Sequence, residues 1–108
     1  NGQQLVSASL DKTIRIWDVS NGQLLKTLTG HSSPVYSVAY SPNGQQLVSA
    51  SLDKTIKIWD ISSGQLLKTL TGHSDRVISV AFSPNGQQLA SASFDKTIIL
   101  WDLDFDNL

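Results

Sequence analysis

Cysteine is absent from the 108 residues, so no disulfide staples the fold and no thiolate is on hand for a metal or a substrate. A reducing interior fits that absence, and the cytoplasm is the expected compartment. Excess charge is missing as well. The formal balance is -1, which gives no pull toward nucleic acid or an anionic membrane, and neither is expected as a partner. No stretch nears the ~18 apolar residues of a membrane-spanning helix, and no basic-then-apolar leader opens the chain. Aromatic residues make up only 7 %, which disfavours a stacking groove for sugars or bases. The length allows one domain at most.

What the chain has is repetition. "NGQQL" begins at Asn1, Asn43 and Asn85, a spacing of 42 residues each time. Residues 1–42 and 43–84 differ only at Arg15/Lys57, Val19/Ile61, Asn21/Ser63, Ser33/Asp75, Pro34/Arg76, Tyr36/Ile78 and Tyr40/Phe82. A period of this length marks a solenoid, propeller or array unit. The third copy leaves the pattern at "LDFDNL", after Asp102.

Each period reads as four short antiparallel strands. "PVYSVAYS" is rich in β-branched and aromatic residues, and "SPNG" turns it into "QQLVSAS". "LDK" then leads into "TIKIWDI", and "SSGQ" into "LLKTLTG". Apolar residues fall on both faces, Val48 and Ala50 opposite Leu47, so each sheet must be covered on two sides. The expected class is all-β. Gly, Asn or Pro interrupts every window before a helical pattern could run.

At Gly30-His31 and Gly72-His73, and at Trp17-Asp18, Trp59-Asp60 and Trp101-Asp102, the chain resembles the WD40-repeat family. Its near-identical copies are most similar to the highly repetitive bacterial, cyanobacterial-like members. The resemblance implies β-propeller blades of four antiparallel strands, incomplete in a single chain. It places strands two to four of a first blade in residues 1–29 and a whole second blade in 30–71. A third blade follows in 72–108, its outer strand degenerate or missing.

The resemblance also implies a structural hydrogen-bonded tetrad in each blade. In the second it would be His31, Ser51, Asp53 and Trp59; in the third, His73, Ser93, Asp95 and Trp101. The first keeps Ser9, Asp11 and Trp17. The same residue types could serve a Ser-His-Asp hydrolase. A nucleophile, however, is needed once and exposed, not buried in every repeat, and a structural network is the favoured reading. Two His on separate blades do not make a metal site, so neither metal nor cofactor is expected. Lys12, Lys54 and Lys96 read as solvated turn residues.

Specificity is then left to the loops. In the family, partners dock where the turns after strands four and two meet. Here these turns carry Pro34, Tyr36, Arg76 and Ile78, together with Leu10, Leu52 and Phe94 just before each tetrad Asp. Aromatic, aliphatic and Arg side chains of this kind compose a protein-binding surface. Between the first two copies, chemistry changes only there; Arg15/Lys57 keeps its charge, and the Val19/Ile61 and Tyr40/Phe82 pairs conserve volume. Ile99, the counterpart of Lys57, has no clear place in the pattern.

The expected function is a non-catalytic protein-protein interaction scaffold that recognises proteins or peptides on its loop face. The alternatives are the hydrolase and a self-assembling repeat fragment without a partner of its own. About two and a half blades do not close a ring and would leave apolar faces open. Further blades of a parent chain, or other copies in a homo-oligomer, would have to cover them. A piece of a larger array is favoured.

Overall fold

Turn chemistry at regular intervals cuts the chain into short strands, and the computed structural model, which describes residues 4–103, contains ten of them. In order they are β1 Gln4–Ala8, β2 Ile14–Asp18, β3 Leu24–Leu28, β4 Val35–Tyr40, β5 Gln46–Ser51, β6 Ile56–Asp60, β7 Leu66–Leu70, β8 Val77–Phe82, β9 Gln88–Ser93 and β10 Ile98–Asp102. No helix occurs among the described residues. The strands form three antiparallel meanders, β1-β2-β3, β4-β5-β6-β7 and β8-β9-β10. The expectation that the tail supplies a degenerate outer strand falls mostly on residues 104–108, outside the described residues, as does the Asn1-Gly2 turn.

Two of the three recurring turns bear on the site. Gly44 and Gly86 take φ of 73° and 74°, where a side chain would be strained, and close the "SPNG" hairpins with bonds to the Ser41 and Ser83 carbonyls. On the opposite side of each sheet the left-handed residue is a lysine, Lys12, Lys54 or Lys96, at φ of 77°, 75° and 72°. That conformation costs a non-glycine residue roughly 1–2 kcal/mol. It is held by the preceding aspartate: the Asp53 carboxylate accepts from the Thr55 N–H at 2.9 Å, while the Lys54 N–H donates to the Ser51 carbonyl at 3.2 Å. The lysine side chains are exposed.

The middle sheet explains the patterning. Side chains alternate along β5, so Leu47 packs toward the N-terminal sheet while Val48 and Ala50 pack toward the C-terminal one, all 0 % exposed. One core gathers Val48, Ile56, Ile58, Val77 and Leu89 between the middle and C-terminal sheets. The other gathers Ile14, Ile16, Leu47, Trp59 and Ile61 between the N-terminal and middle sheets. Each fully buried Ile, Leu or Val contributes about 1.5–3 kcal/mol. Sequence-distant strands thus hold neighbouring sheets together, with β4 against β8 and β1 against β4.

β4 and β8 each carry a bulge. Val35 pairs with Ser51 and Ser37 with Ala50, leaving Tyr36 unmatched; Val77 pairs with Ser93 and Ser79 with Ala92, leaving Ile78 unmatched. A bulge turns its extra residue out of the ladder. Tyr36 and Ile78 are accordingly 41 % and 38 % exposed on strands whose flanking valines are buried.

Candidate functional site

The buried polar network begins at Trp59 on β6. Its indole N–H donates to the Ser49 hydroxyl at 3.0 Å. The Ser49 hydroxyl lies 2.6 Å from Nε2 of His31, and Nδ1 of His31 lies 2.8 Å from the Asp53 carboxylate. A carboxylate only accepts, so Nδ1 carries the proton and Nε2 receives the one on Ser49. The Asp53 carboxylate also accepts from the Ser32 N–H at 3.1 Å and the Thr55 hydroxyl at 2.6 Å. Every group in the chain of donors has a partner.

The C-terminal sheet repeats the set. Trp101 donates to Ser91 at 2.8 Å, Ser91 lies 2.7 Å from Nε2 of His73, and Nδ1 of His73 lies 2.8 Å from Asp95. In the N-terminal sheet Trp17 donates to Ser7 at 3.0 Å, and Asp11 takes Arg15 at 2.9 Å in place of a histidine.

The electrostatics follow from this packing. Burial pushes the His31 imidazole below its ordinary range, and the bond and charge of Asp53 only partly offset that. Burial pushes the Asp53 carboxyl up, but the Thr55 hydroxyl, His31 and the Thr55 N–H together hold it below the usual value. The Thr97 hydroxyl, against burial, and then His73 do the same for Asp95. Asp11 is held at about 2, first by the Thr13 hydroxyl and then by Ser9. Neutral His31 beside ionised Asp53 is the state the geometry favours in the middle sheet.

Gly30, just before His31, passes over the indole. A Cβ built there, at φ +152°, would stand 3.0 Å from Cη2 of Trp59, and one at Gly72 would stand 3.1 Å from Cη2 of Trp101. The Gly-His pair is therefore one device: the glycine lets the loop lie on the tryptophan, and the histidine reaches down to the serine.

The same side of the sheets gathers the variable residues. Leu52 N–H donates to the Pro34 carbonyl at 3.0 Å and Phe94 N–H to the Arg76 carbonyl at 3.1 Å, so the turn after each second strand is tied to the loop before each innermost strand. The Arg76 guanidinium lies 4.1 Å from the centroid of the Phe94 ring, a cation–π contact. Phe94 is 50 % and Leu10 74 % exposed, whereas Pro34, Leu52 and Arg76 are half-buried. Arg76 makes no ion pair among the described residues.

The family model for the WD domain, G-beta repeat, matches residues 1–18, 22–60 and 64–102. The chain belongs to the WD40-repeat family. Among curated relatives, it is 59 % identical over 39 residues to the F-box-like/WD repeat-containing protein TBL1X of Mus musculus, a match covering 36 % of this chain and 7 % of that protein. It is 60 % identical over 42 residues to the nuclear distribution protein PAC1 of Mycosarcoma maydis, covering 39 % and 9 %. It is 49 % identical over 43 residues to the transcriptional corepressor LEUNIG_HOMOLOG of Arabidopsis thaliana, covering 39 % and 6 %. Each match thus spans under a tenth of its relative's length, about one repeat.

For this WD40 chain the structure corrects the serine of the network. Ser49, Ser91 and Ser7 occupy the position assigned from sequence to Ser51, Ser93 and Ser9. Ser51 sits at the end of its hairpin, where its hydroxyl is drawn to the Ser33 and Pro34 carbonyls at 3.0 and 2.9 Å. Ser93 likewise bonds the Asp75 and Arg76 carbonyls, at 3.1 and 2.8 Å. Ser9 accepts from the Asp11 N–H at 3.1 Å. These serines fasten the loops, while their neighbours two residues earlier join tryptophan to histidine. His31, Asp53 and Trp59 are brought together, as are His73, Asp95 and Trp101. What distinguishes the pairs is register, which makes the ten-residue step from Ser49 to Trp59 and from Ser91 to Trp101 a diagonal across one hairpin.

Chemically, Ser49, His31 and Asp53 have the connectivity of a hydrolase triad. The hydroxyl is 0 % exposed, however, and one lone pair is held by the Trp59 N–H. No substrate carbonyl has room to approach it. Among the described residues no three His, Cys, Asp or Glu side chains converge on a metal position. On the opposite side of the sheets, a groove of about 420 Å³ between the "SPNG" turns is lined by Asn43, Gln46, Asn85 and Gln87 and holds no titratable group. Ile99 lies against the Gly72 turn beside Trp101, on the face where Lys57 instead bonds the Thr69 hydroxyl at 3.0 Å.

Proposed function

We propose that the chain acts as a non-catalytic interaction scaffold that captures a protein or peptide on its loop face. Membership of the WD40 family supports a protein-interaction role in general, and none of the three relatives' names states a reaction. The observation that carries the finer reading is the Arg76–Phe94 pair. An arginine stacked at 4.1 Å on a half-exposed ring, without an ion pair among the described residues, is the composition of a binding hot spot. Tyr36, turned outward by its bulge, extends that surface, and Leu10, Leu52, Pro34 and Ile78 flank it. The burial of Ser49 and Ser91 supports the non-catalytic part of the reading. The cysteine-free composition supports a reducing, cytoplasmic setting.

The test is a set that places a carboxylate at each position, Tyr36→Glu, Arg76→Glu and Phe94→Asp, compared with wild type for capture of protein partners and for circular dichroism. Loss of partners at an unchanged β signal is expected. Retained capture would discard the site.

A further inference from the structure

Lys12, Lys54 and Lys96 hold a left-handed backbone, φ of 77°, 75° and 72°, that glycine would enter without strain. The chain nevertheless places the same cation there in every copy and leaves each side chain exposed. A strained position filled three times by one residue type points to use of its side chain. These turns lie on the loop side of the sheets, each lysine two residues after Leu10, Leu52 or Phe94. The carboxylates on this side are withdrawn from a partner. Asp53 and Asp95 serve His31 and His73, with side chains only 8 % exposed. Asp11 takes Arg15 at 2.9 Å, and Asp75 turns back to accept from the Arg76 N–H at 2.7 Å. Lys12, Lys54, Lys96 and Arg76 make no ion pair among the described residues. The opposite side differs: β2, β6 and β10 end there on Asp18, Asp60 and Asp102, while Lys26 and Lys68 lie mid-strand in β3 and β7. A formal charge of -1 thus hides a division, with the free cations presented by the loop side.

We propose that the segment captured on the loop face is an acidic peptide, its glutamate or aspartate side chains spaced among apolar ones; this rests on the loop-face reading and names its ligand class. Arg76 is the anchor. Stacking at 4.1 Å on Phe94 fixes the plane of its guanidinium, whose N–H fork suits a carboxylate. The Arg76–Phe94 pair replaces Pro34–Leu52 as a unit, while the backbone bond within each pair stays at 3.1 and 3.0 Å. One copy alone therefore carries the anchor, which sets where the peptide begins. Lys12, Lys54 and Lys96 come one to a repeat, so they meet further carboxylates singly along an extended ligand. A phosphate group, with nearly twice the charge, calls for converging cations, and this surface spreads them. Leu10, Ile78 and Phe94, all exposed, take the apolar residues between the carboxylates and have no use against a phosphate backbone. An acidic peptide is favoured over nucleic acid on that ground.

The test displays random peptides on phage and selects them on the immobilised 108-residue chain. Enriched sequences should carry Asp and Glu at least about twofold above the starting pool, as free cations on the selecting face require. A synthetic copy of an enriched peptide should bind Arg76→Gln about tenfold more weakly. The same peptide with amides in place of its carboxylates should lose a similar factor on wild type. The triple variant Lys12→Gly, Lys54→Gly and Lys96→Gly removes three charges and relieves three left-handed residues. Binding should weaken about tenfold in it, while the melting temperature does not fall. Lysines kept for the fold alone would leave binding unchanged, and that result overturns the proposal.

Selection of sequences poor in acidic residues, or of none at all, also sinks it. Where acid-poor peptides lose binding on Tyr36→Glu and Phe94→Asp, the loop-face reading stands and only the acidic class falls. Where selected peptides bind those two variants as well as wild type, they sit elsewhere and both readings fail. An oligodeoxythymidylate that binds as tightly as the selected peptide would overturn the proposal in favour of nucleic acid.

Discussion

The hydroxyl of Ser49 lies 2.6 Å from Nε2 of His31, and that short contact joins a loop to the strand beneath it. Removing it strands two buried groups, the Trp59 N–H and the His31 nitrogen. Leaving each unsatisfied costs roughly 1–3 kcal/mol, so Ser49→Ala should destabilise by about 2–6 kcal/mol. Ser51→Ala removes the acceptor of the Asp53 N–H and a donor to the Ser33 and Pro34 carbonyls, at a half-buried loop where water reaches these groups, and its cost should be smaller, about 1–2 kcal/mol. Urea titration of both variants checks the order. Equal losses would mean that Ser49 is not the central member.

The same network makes stability depend on acid. Burial holds the folded His31 below its ordinary value, so on acidification the unfolded chain takes up a proton first. The stabilising contribution is complete above the unfolded value of about 6.5 and is lost as pH falls through the folded one. Asp53, also depressed, adds a second loss below about pH 4. Denaturation midpoints should therefore fall from about pH 7.5 to 5 in wild type and fall less in His31→Gln. A midpoint that rises over that range would mean a charged His31 in the folded state.

Tyr40 carries a buried hydroxyl with no partner among the described residues, and burial pushes its phenol up. Its counterpart one repeat on is Phe82, which fills the same kind of position without the oxygen. Tyr40→Phe should stabilise by about 1 kcal/mol, or roughly 4–8 °C in Tm for a domain of this size. A thermal melt gives the answer; a lower Tm would show that the hydroxyl has a partner in solution.

The strands were legible because period-two patterning and turn residues recur three times, and the two-sided burial of β5 follows from Leu47 and Val48 alone. The serine of the network was not. Ser49 and Ser51 share one face of one strand, so alternation treats them alike. What separates them is register: Ser49 stands opposite Lys57, a diagonal step from Trp59, while Ser51 lies beyond the last pair of β5 with β6, against the loop before β4. The bulge at Tyr36 was also hidden, because an unbroken run such as "VYSVAY" shows no sign of an extra residue. Its consequence was anticipated from chemistry, since Tyr36 and Ile78 differ where their buried neighbours are identical. The left-handed lysines carry no composition signal, as glycine or asparagine is the usual choice there. The aspartate before each lysine holds the turn instead.

That repeats can differ in recognition while remaining the same blade is tested most directly by exchanging one loop for another. The substitutions Asp75→Ser, Arg76→Pro, Ile78→Tyr and Phe94→Leu give the C-terminal sheet the loop residues of the middle one. Partner affinity and thermal stability are measured together. Expected is a folded variant that loses at most about 2 kcal/mol of stability, since surface changes of this kind cost about 0.5 kcal/mol or less each, with at least about tenfold weaker binding of any partner that wild type captures, as for loss of a hot spot. Unchanged affinity in a folded variant would contradict recognition through Arg76 and Phe94.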